Sequence, residues 1–568
     1  MMFAALPTVY DESKNWDWVE IEPFYQDLQS RHLSERSVHQ WLGDWKHLRF
    51  LLDETYWRKY VATTVDTSDR IARQEYTEFL DKMRPQVQAA DYKLKLKLLR
   101  SGLTPKGLEI PLRNIRGEVE LFHEENLPLL SKEMKLSTQY HQIVGAQSVT
   151  WEREETTLAQ LRPIYQRENR KAREDAWRLA AQRQLGDREA INTLWNKLMK
   201  LRKRIAQNAG QNGFRSYMWK KRLRFDYSPK DCYRFHRAIE EVVVPAAARI
   251  YERRRKRLGI KSIRPWDLEV DPLGRQPLQP FTSLEELEHK STNIFKRVDP
   301  QLGKYFEILR REGLLDLENR KDKAPGGYCT EFRLSQRPFI FVNAVGVHDD
   351  VQTMLHEGGH AFHVFETNHH PSHLQVQIPL EFMEVASTAM ELLGGPYLPA
   401  DEGGFYNRAE ANRARADYFE RMILFWPYMA VVDAFQHWVY ENHDQASDPA
   451  NCDSQWAKLW QRFIPAEDWS GLEDEMVTGW QRKVHIYEDP FYYIEYGLSQ
   501  VAAVQIWQKA IANQVKAVAD YRKALALGGT ARLPQLYATA GAKLAFDSHT
   551  LRQAVTLMES FIQQAENT

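Results

Sequence analysis

Residues 348–367 read HDDVQTMLHEGGHAFHVFET, and within this stretch residues 356–360 form the pattern His-Glu-x-x-His. On an α-helix, residues four positions apart lie about 40° from each other around the axis, so His356 and His360 project from one face. Such a pair of imidazoles binds Zn²⁺, and the intervening Glu357 lies within reach of a water molecule on the metal. The stretch therefore predicts a helix that carries two metal ligands and a general base.

The residues around this pattern favour a helix, although two glycines inside the pattern destabilise it. Asp349 and Asp350 can cap its N-terminus, and apolar residues recur at helical spacing on both sides of the motif. Gly358 and Gly359, however, each cost a helix interior about 1 kcal/mol relative to Ala. Because a purely structural helix would seldom keep both glycines, we expect a helix surface that a substrate approaches closely.

A catalytic zinc site needs a third protein ligand and an open fourth position. Residues 379–393 predict a following helix, which a Gly-Gly-Pro sequence stops. Glu384 and Glu391 lie seven apart on one face of this helix among apolar neighbours, where an unpaired carboxylate would be costly. We favour Glu384 as the ligand and Glu391 as the partner of a ligating histidine, while spacing alone leaves Glu381 open as the ligand.

Histidines close to the motif offer a different third ligand. One known zinc-binding pattern has Gly three residues after the second His and a third His three residues further on. That pattern is absent, because those positions hold His363 and Glu366. We expect the nearby histidines to be loop or surface residues rather than ligands. They are His363, His369, His370 and His373.

The rest of the chain favours helices over strands. Strand signals are confined to a hairpin within 149–161 and to residues 328–343, where the β-prone run PFIFV begins at Pro338. Residues 263–280 contain four prolines and predict a long loop. The expected fold class is mainly α with a small β-sheet. Apolar residues recur at helical spacing over 37–61, 71–90, 117–136, 172–183 and 187–208.

Composition excludes several classes of protein. The 568 residues carry 77 basic and 77 acidic side chains, so the neutral chain lacks the basic footprint of a nucleic-acid binder. The mean hydropathy is −0.59, and no apolar run approaches the roughly 18 residues that span a bilayer, so we expect no membrane partner. Three scattered cysteines form no disulfide framework, and we expect no secretory signal at the N-terminus. We expect a cytoplasmic globular protein.

A tyrosine-rich stretch, HIYEDPFYYIEYGLSQ, begins at His485. Its Asp-Pro dipeptide predicts a helix start, with Asp489 as the N-cap and Pro at the first helical position. Tyr492, Tyr493 and Tyr496 then lie three or four apart, the spacing of a buried helix face. Buried phenols need hydrogen-bond partners, and a phenol or an imidazole can donate to the oxyanion that forms during peptide hydrolysis.

Taken together, these segments resemble the thimet oligopeptidase family of zinc peptidases. The chain is most similar to the oligoendopeptidase F and Pz-peptidase branch, and the segments keep the family's order across roughly residues 320–500. The family's long spacing between the second His and the ligating Glu is matched by His360 and Glu384. The similar segments are 326–330 (GGYCT), 338–341 (PFIF), 356–362 (HEGGHAF), Glu384 with Glu391, 435–442 (FQHWVYEN), 485–487 (HIY) and 490–493 (PFYY).

The resemblance implies two mostly helical lobes that enclose a deep substrate channel, with the small sheet beside the zinc site. We assign residues 1–200 to the N-terminal lobe, which forms the channel wall, and residues 201–568 to the catalytic domain. A narrow channel would admit short unfolded peptides and exclude folded proteins.

The resemblance also implies the roles of the site residues. One Zn²⁺ would be held by His356, His360 and Glu384, with Glu357 as the general base. His485 and Tyr496 match the family's substrate-binding His and Tyr, Tyr493 is a further candidate donor, and Tyr487 and Tyr492 stay undecided. Residues 338–343 are expected to pair with the substrate as an edge strand. The expected substrate-binding residues are Gly326, Gly327, Tyr328, Phe341 and Asn343.

The predicted function is zinc-dependent endopeptidase activity on short unstructured oligopeptides. The rival functions are an exopeptidase that also uses a Glu as its third zinc ligand, and a helical scaffold that binds peptides without cleaving them. The sequence leaves open the cleavage preference and the oligomeric state, as well as the choice among zinc, cobalt and manganese.

Overall fold

The computed structural model describes residues 2–320, 322–324 and 326–566. This part of the chain is mainly helical with two small sheets, which confirms the predicted fold class. The helices are α1 (Trp18–Ser30), α2 (Val38–Val65), α3 (Arg70–Glu78), α4 (Arg84–Arg100), α5 (Glu109–Leu121), α6 (Asn126–Gly145), α7 (Arg162–Tyr165), α8 (Arg170–Leu185), α9 (Arg188–Asn208), α10 (Phe214–Lys221), α11 (Pro229–Ala238), α12 (Val244–Leu258), α13 (Leu284–Val298), α14 (Pro300–Arg311), α15 (His348–Thr367), α16 (Leu380–Gly394), α17 (Arg408–Glu441), α18 (His443–Ala446), α19 (Pro449–Phe463), α20 (Glu473–Val477), α21 (Val484–Tyr487), α22 (Tyr493–Leu525), α23 (Leu533–Thr539) and α24 (Ser548–Glu566). The strands are β1 (Ser148–Trp151), β2 (Glu154–Thr157), β3 (Leu315–Glu318), β4 (Tyr328–Phe332) and β5 (Arg337–Ala344).

The predicted hairpin is confirmed as the antiparallel pair β1 and β2. The helix expected over 117–136 is wrong as a single element, because Phe122 adopts an extended conformation and separates α5 from α6. None of the described helices is both long enough and apolar enough to cross a membrane.

Two helix pairs are joined by a turn of π-helix rather than by a loop. Helix α3 continues into α4 through Phe79–Met83, and α11 continues into α12 through Ile239–Val243. Each π turn is followed by a proline at the second position of the next helix, Pro85 or Pro245. Proline has no N–H and clashes with the carbonyl four residues back. The turn before it therefore takes up one extra residue as a π-helix, and the helix continues instead of ending.

The second sheet has the order β3-β5-β4, with β5 parallel to β3 and antiparallel to β4. The expectation that residues 338–343 form an edge strand is therefore wrong, since β5 lies in the middle. Its unbroken apolar sequence follows from burial on both faces. Ile340 and Val342 join the core that contains α15, while Phe339 and Phe341 pack with Val61 of α2.

Buried apolar side chains form two principal cores. The smaller core collects residues from Phe3 to Ile115 together with Leu374, and the larger core runs from Leu121 to Ile562. The sheet joins them, because α15 covers one of its faces and α2 covers the other. The division at residue 200 stays a prediction, although the cores themselves divide near residue 120.

Candidate metal centre

Helices α15 and α16 pack closely enough to bring their polar side chains together. A Cβ on Gly359 would lie 2.5 Å from the carbonyl oxygen of Ala386 and 2.6 Å from Cα of Ser387. A Cβ on Gly358 would lie 2.4 Å from the ring of Phe295 in α13. The glycines of the His-Glu-Gly-Gly-His sequence therefore permit helix packing, and the expectation that they face a substrate is wrong.

The close packing places His356, His360 and Glu384 around one point. Oε2 of Glu384 lies 3.6 Å from Nε2 of His356 and 3.9 Å from Nε2 of His360. Ligands of a tetrahedral Zn²⁺ ion at about 2.0–2.3 Å are separated by about 3.3–3.8 Å, so both distances are close to those of such an ion. All three ligand atoms lie within 4.8 Å of one another. The histidine side chains are 26% and 17% exposed and Glu384 only 6%, so the centre opens to solvent on its histidine side.

Surrounding groups fix the orientation of two of these side chains. Oε1 of Glu391 lies 2.8 Å from Nδ1 of His356, and Tyr418 also contacts the Glu391 carboxylate. The hydroxyl of Tyr492 donates to Oε1 of Glu384 at 2.5 Å, which leaves Oε2 directed at the histidines. This arrangement, in which the second nitrogen of a histidine meets a carboxylate, is typical of metal sites.

The surrounding protein groups shift the pKa values of His356 and His360 in opposite directions. Burial alone would lower the pKa of His356, but the hydrogen bond and charge of Glu391 outweigh it and raise that pKa to about 10. Burial lowers the pKa of His360 to about 4, against the attraction of Glu384. A cation must therefore displace a proton from His356, while His360 offers its nitrogen already deprotonated.

Glu357 lies on the same helix but is not one of the three clustered side chains. Its side chain is buried, one carboxylate oxygen receives the backbone N–H of Cys329 in β4, and Oε2 has no hydrogen-bond partner among the described residues. Burial, reinforced by the neighbouring Glu384, raises the pKa of Glu357 to about 7. A carboxylate that gains and loses a proton near neutral pH, with one free oxygen, is suited to proton transfer.

The alternative ligands that spacing left open lie elsewhere. Glu381 accepts a hydrogen bond from the Tyr227 hydroxyl at 2.6 Å and contacts Arg224, so it belongs to a separate buried cluster. His363 packs against the ring of Phe382. The other three histidines are held by backbone or aromatic contacts: His369 to the carbonyl of Glu366, His370 to the carbonyl of Ala526, and His373 against the ring of Trp45.

The tyrosine-rich segment begins in α21 and makes a tight turn over residues 488–492 where a helix start was expected. Helix α22 starts at Tyr493, so the expected helix start at Asp489 is wrong. Phe491 adopts a φ of 66°, which is strained for a residue with a side chain. Arg222 donates to the carbonyls of Asp489 and Pro490, and Arg224 donates to the carbonyl of Phe491. These buried guanidinium groups hold the turn that positions Tyr492.

The structure brings two of the expected oxyanion donors, His485 and Tyr496, together and buries the third, Tyr493. The hydroxyl of Tyr496 lies 3.5 Å from Nε2 of His485, and both side chains are half-buried. Burial, assisted by Lys483, lowers the pKa of His485 to about 4, so the imidazole is neutral at physiological pH. Tyr493 is buried, with its ring packed against Phe425 and His485. Tyr487 is fully buried and stacked on Tyr140.

The expected substrate-binding residues occupy three different environments. Gly326 and Gly327 are exposed, and Tyr328 begins β4, which among the described strands pairs only with β5. Phe341 is fully buried against the ring of Tyr328, so its side chain belongs to the core. Asn343 donates to the carbonyls of Ala324 and Gly326 and so fixes the loop before β4.

Three contacts of the centre were not found by sequence reasoning. The resemblance leaves the role of Tyr492 open and includes neither Tyr418 nor Ser387, whose hydroxyl donates to Oε2 of Glu384 at 3.2 Å. Ser387 lies one turn beyond Glu384 on α16, so helical spacing could have identified it. Tyr418 and Tyr492 reach the centre from α17 and from the turn before α22, which no local spacing reveals.

Comparisons with known proteins identify the family and the fold of the chain. The model of peptidase family M3 matches residues 164–556. Oligopeptidase PepF of Bacillus subtilis (strain 168) is 28% identical over 159 residues, which cover 27% of this chain but only 23% of that protein. The solved structure of Pz peptidase A with an inhibitor has a TM-score of 0.89 and 27% identity, covering 99% of each chain. A protein proposed to be an oligoendopeptidase F has the same TM-score, identity and coverage.

The family match covers more than half of the chain and includes every side chain of the candidate metal centre. The structural match extends over almost the whole length at 27% identity. The order of the helices and the sheet is thus shared with solved peptidases. The chain therefore belongs to peptidase family M3 and is a peptidase with the oligoendopeptidase F fold.

Proposed function

We propose that this peptidase is a zinc-dependent endopeptidase that cleaves short unstructured oligopeptides. The observation that carries the proposal is the site in which His356, His360 and Glu384 converge beside Glu357, whose Oε2 is unpartnered within the described part of the chain. Similarity to Pz peptidase A and to a protein proposed to be an oligoendopeptidase F supports internal cleavage of oligopeptides.

In this proposal the three converging side chains hold one Zn²⁺ ion, and the hydrogen bond from His356 to Glu391 fixes the ring that binds it. When bound, the ion supplies Lewis acidity that activates water and polarises the scissile carbonyl. Two imidazoles and one carboxylate leave the fourth position for water or substrate, as catalytic zinc sites require.

Glu357 moves the proton. Its unpartnered Oε2 accepts a proton from the attacking water and then delivers it to the nitrogen of the leaving amine. Burial favours the protonated form of this carboxyl, which supports both steps because the same group must first gain and then lose a proton. The backbone N–H of Cys329 holds the other oxygen and so keeps the carboxylate aimed in one direction.

Tyr496 and His485 donate hydrogen bonds to the oxyanion. Their polar atoms are 3.5 Å apart, so they can face one substrate oxygen together. Tyr492 has a different role in this proposal, since its hydroxyl is already directed at Glu384. Tyr493, buried among aromatic rings, acts by packing against His485.

The substrate backbone lies along β4 in this proposal. Among the described strands β4 is paired on one side only, and it passes Glu357 at Cys329. An extended peptide that adds to its free edge would have its carbonyl groups presented beside the base. Gly326 and Gly327, exposed and held by Asn343, form the approach to this edge.

The test is mass spectrometry of the products from a peptide library of graded length, with and without blocked termini. An endopeptidase cuts doubly blocked peptides at internal bonds and stops cutting above a length limit. Cleavage restricted to peptides with free termini would favour an exopeptidase instead. Binding without any cleavage would favour the scaffold function.

Two further measurements test the zinc-dependent chemistry. A chelator should abolish cleavage and added Zn²⁺ should restore it, whereas full activity in excess chelator contradicts the metal assignment. Glu357→Gln should keep its zinc and lose turnover by about 10²- to 10⁴-fold. The matched control is Glu307→Gln, which makes the same substitution at an exposed residue of α14.

A further inference from the structure

A second cluster of potential metal ligands lies between α11 and α17, apart from the residues proposed for peptide cleavage. Cys232 and His236 lie four residues apart on α11, and Asp433 and His437 lie four apart on α17. Each pair therefore shares one helix face, and the two faces meet. All four side chains are at most 3% exposed.

One ligand atom from each of Cys232, Asp433 and His437 lies within 4.8 Å of the other two. Oδ2 of Asp433 is 3.5 Å from Nε2 of His437, the separation expected for two ligands of one Zn²⁺ ion, and the same oxygen meets Nε2 of His236. A cation would thus need to draw the three atoms together by no more than about 1.5 Å.

The cluster contains buried polar atoms that the described residues leave without hydrogen bonds. Oδ1 of Asp433 and Nε2 of His437 have no partner there, although both side chains are almost completely buried. An unsatisfied buried carboxylate oxygen costs about 1–3 kcal/mol or more, and a native structure seldom keeps one without a reason. Both atoms belong to side chains of the group of three that converges.

We propose that Cys232, Asp433 and His437 bind a thiophilic divalent cation of the Zn²⁺ class that joins α11 to α17. On binding, the Cys232 thiol releases its proton to solvent, and the sulfur forms the bond to the metal. The thiolate, the carboxylate and the dication then sum to zero charge, which removes the cost of a lone charge in the core. Thiolate together with imidazole is a ligand set that favours zinc over magnesium or calcium.

Neighbouring side chains define the rest of the site. Nε2 of His236 lies 2.8 Å from Oδ2 of Asp433 and so orients the carboxylate. Arg215 approaches Nδ1 of His437 at 3.4 Å, a long contact. When Nε2 binds a cation, Nδ1 keeps the ring proton, so Arg215 retains only its contacts with Tyr233 and Glu441.

The consequence is structural rather than catalytic. The three converging side chains are almost completely buried, so a peptide substrate cannot reach a cation bound there. Helix α11 continues directly into the π turn at Ile239–Val243. A cation that bridges Cys232 to α17 would hold the helix just before this irregular turn.

The test uses the full chain with its first site disabled by His356→Ala and His360→Ala. The protein is produced in zinc-depleted medium with Co²⁺ as the probe, so that the ion is present while the buried site forms. We expect about one cobalt ion per chain, with a thiolate-to-cobalt charge-transfer band in the near ultraviolet. The proposal is overturned if the protein contains no bound cobalt, or if it contains cobalt without this band. This result does not depend on whether variants of the cluster itself fold.

Variants at the three cysteines identify the sulfur ligand. In the same background, Cys232→Ser should abolish the band, and Asp433→Asn should weaken cobalt retention by at least tenfold. Cys452→Ser is the matched control, since Cys452 is a buried cysteine outside the cluster, and Cys329→Ser excludes the thiol beside Glu357. A band that survives Cys232→Ser in folded protein refutes the assignment. Because the catalytic histidines are absent, these outcomes are independent of peptide cleavage.

Discussion

The hydroxyl of Tyr492 lies 2.5 Å from Oε1 of Glu384, while Oε2 of the same carboxylate faces His356 and His360. The tyrosine thus occupies one oxygen of the proposed ligand and leaves the other for the cation. It does so from a turn with a strained residue, Phe491, directly before it. Strain of this kind persists only where the surroundings enforce it, and it is common at functional sites.

Replacing Tyr492 with Phe should weaken zinc binding by about 10- to 100-fold, because Glu384 loses the donor that orients it. Competition with a chromogenic chelator measures the affinity. Tyr487→Phe is the matched control, since the Tyr487 hydroxyl is buried without a hydrogen-bond partner among the described residues. Equal zinc affinities in the two variants would show that the hydroxyl of Tyr492 does not orient the ligand.

Much of the candidate metal centre could be predicted because the proposed ligands follow helical spacing. His356, Glu357 and His360 lie within five residues. Glu384 and Glu391 share one face of α16, and from this face Glu391 meets His356. Apolar periodicity also predicts α15 and α16, and the β-prone run predicts β5, whereas the break at Phe122 shows that periodicity does not locate every helix end.

The surroundings of the centre could not be predicted in the same way. The turn before Tyr492 depends on Arg222 and Arg224, which lie 267 residues earlier in the chain than the carbonyls they bind at Asp489 and Phe491. An Asp-Pro dipeptide predicts a helix start locally, and only these distant donors stabilise a different conformation. The middle position of β5 likewise depends on β3, a four-residue strand with little signal of its own.

Gly359→Ala should lower both stability and zinc affinity. The added methyl would lie 2.5 Å from a backbone oxygen of α16, and backbone atoms cannot move aside as a flexible side chain can. Overpacking of this kind costs about 1–3 kcal/mol, and any separation of α15 from α16 moves the histidines away from Glu384. Thermal unfolding and a zinc titration measure the two effects.

Gly43→Ala is the control for the Gly359 substitution. Gly43 lies inside α2, and none of the described atoms comes within 4 Å of the place that an added methyl would take, so alanine should stabilise the helix by about 0.5–1 kcal/mol. Opposite signs for the two substitutions are expected. A Gly359→Ala protein as stable as the parent would mean that the helices can separate without cost.

Tyr496→Phe should lower kcat by about 10²- to 10³-fold and leave KM almost unchanged, because its hydroxyl is proposed to contact only the oxyanion. Steady-state kinetics on an internally quenched peptide separate the two constants. Zinc content should stay at the parental level, since this hydroxyl is directed at His485 rather than Glu384. A raised KM with an unchanged kcat would instead identify a contact to the bound substrate.

Glu467 gives a prediction about pH that is independent of catalysis. Burial raises its pKa from 4.5 to about 7, against hydrogen bonds from Tyr251 and Trp469. Between these two values the folded chain holds a proton that the unfolded chain has lost. This carboxyl therefore stabilises the fold fully below pH 4.5, and its contribution falls as the pH rises towards 7.

Glu467→Gln removes this titration while keeping the shape of the protonated acid. The Tm of the variant relative to the parent should therefore rise between pH 5 and pH 8 and then level off. Because Glu467 is partly exposed, the expected change in the free energy of unfolding is about 1–2 kcal/mol, less than the full shift implies. Differential scanning calorimetry at matched ionic strength measures it. A Tm difference that stays constant across this range would show that the carboxyl is already ionised at pH 5, so that its hydrogen bonds outweigh burial.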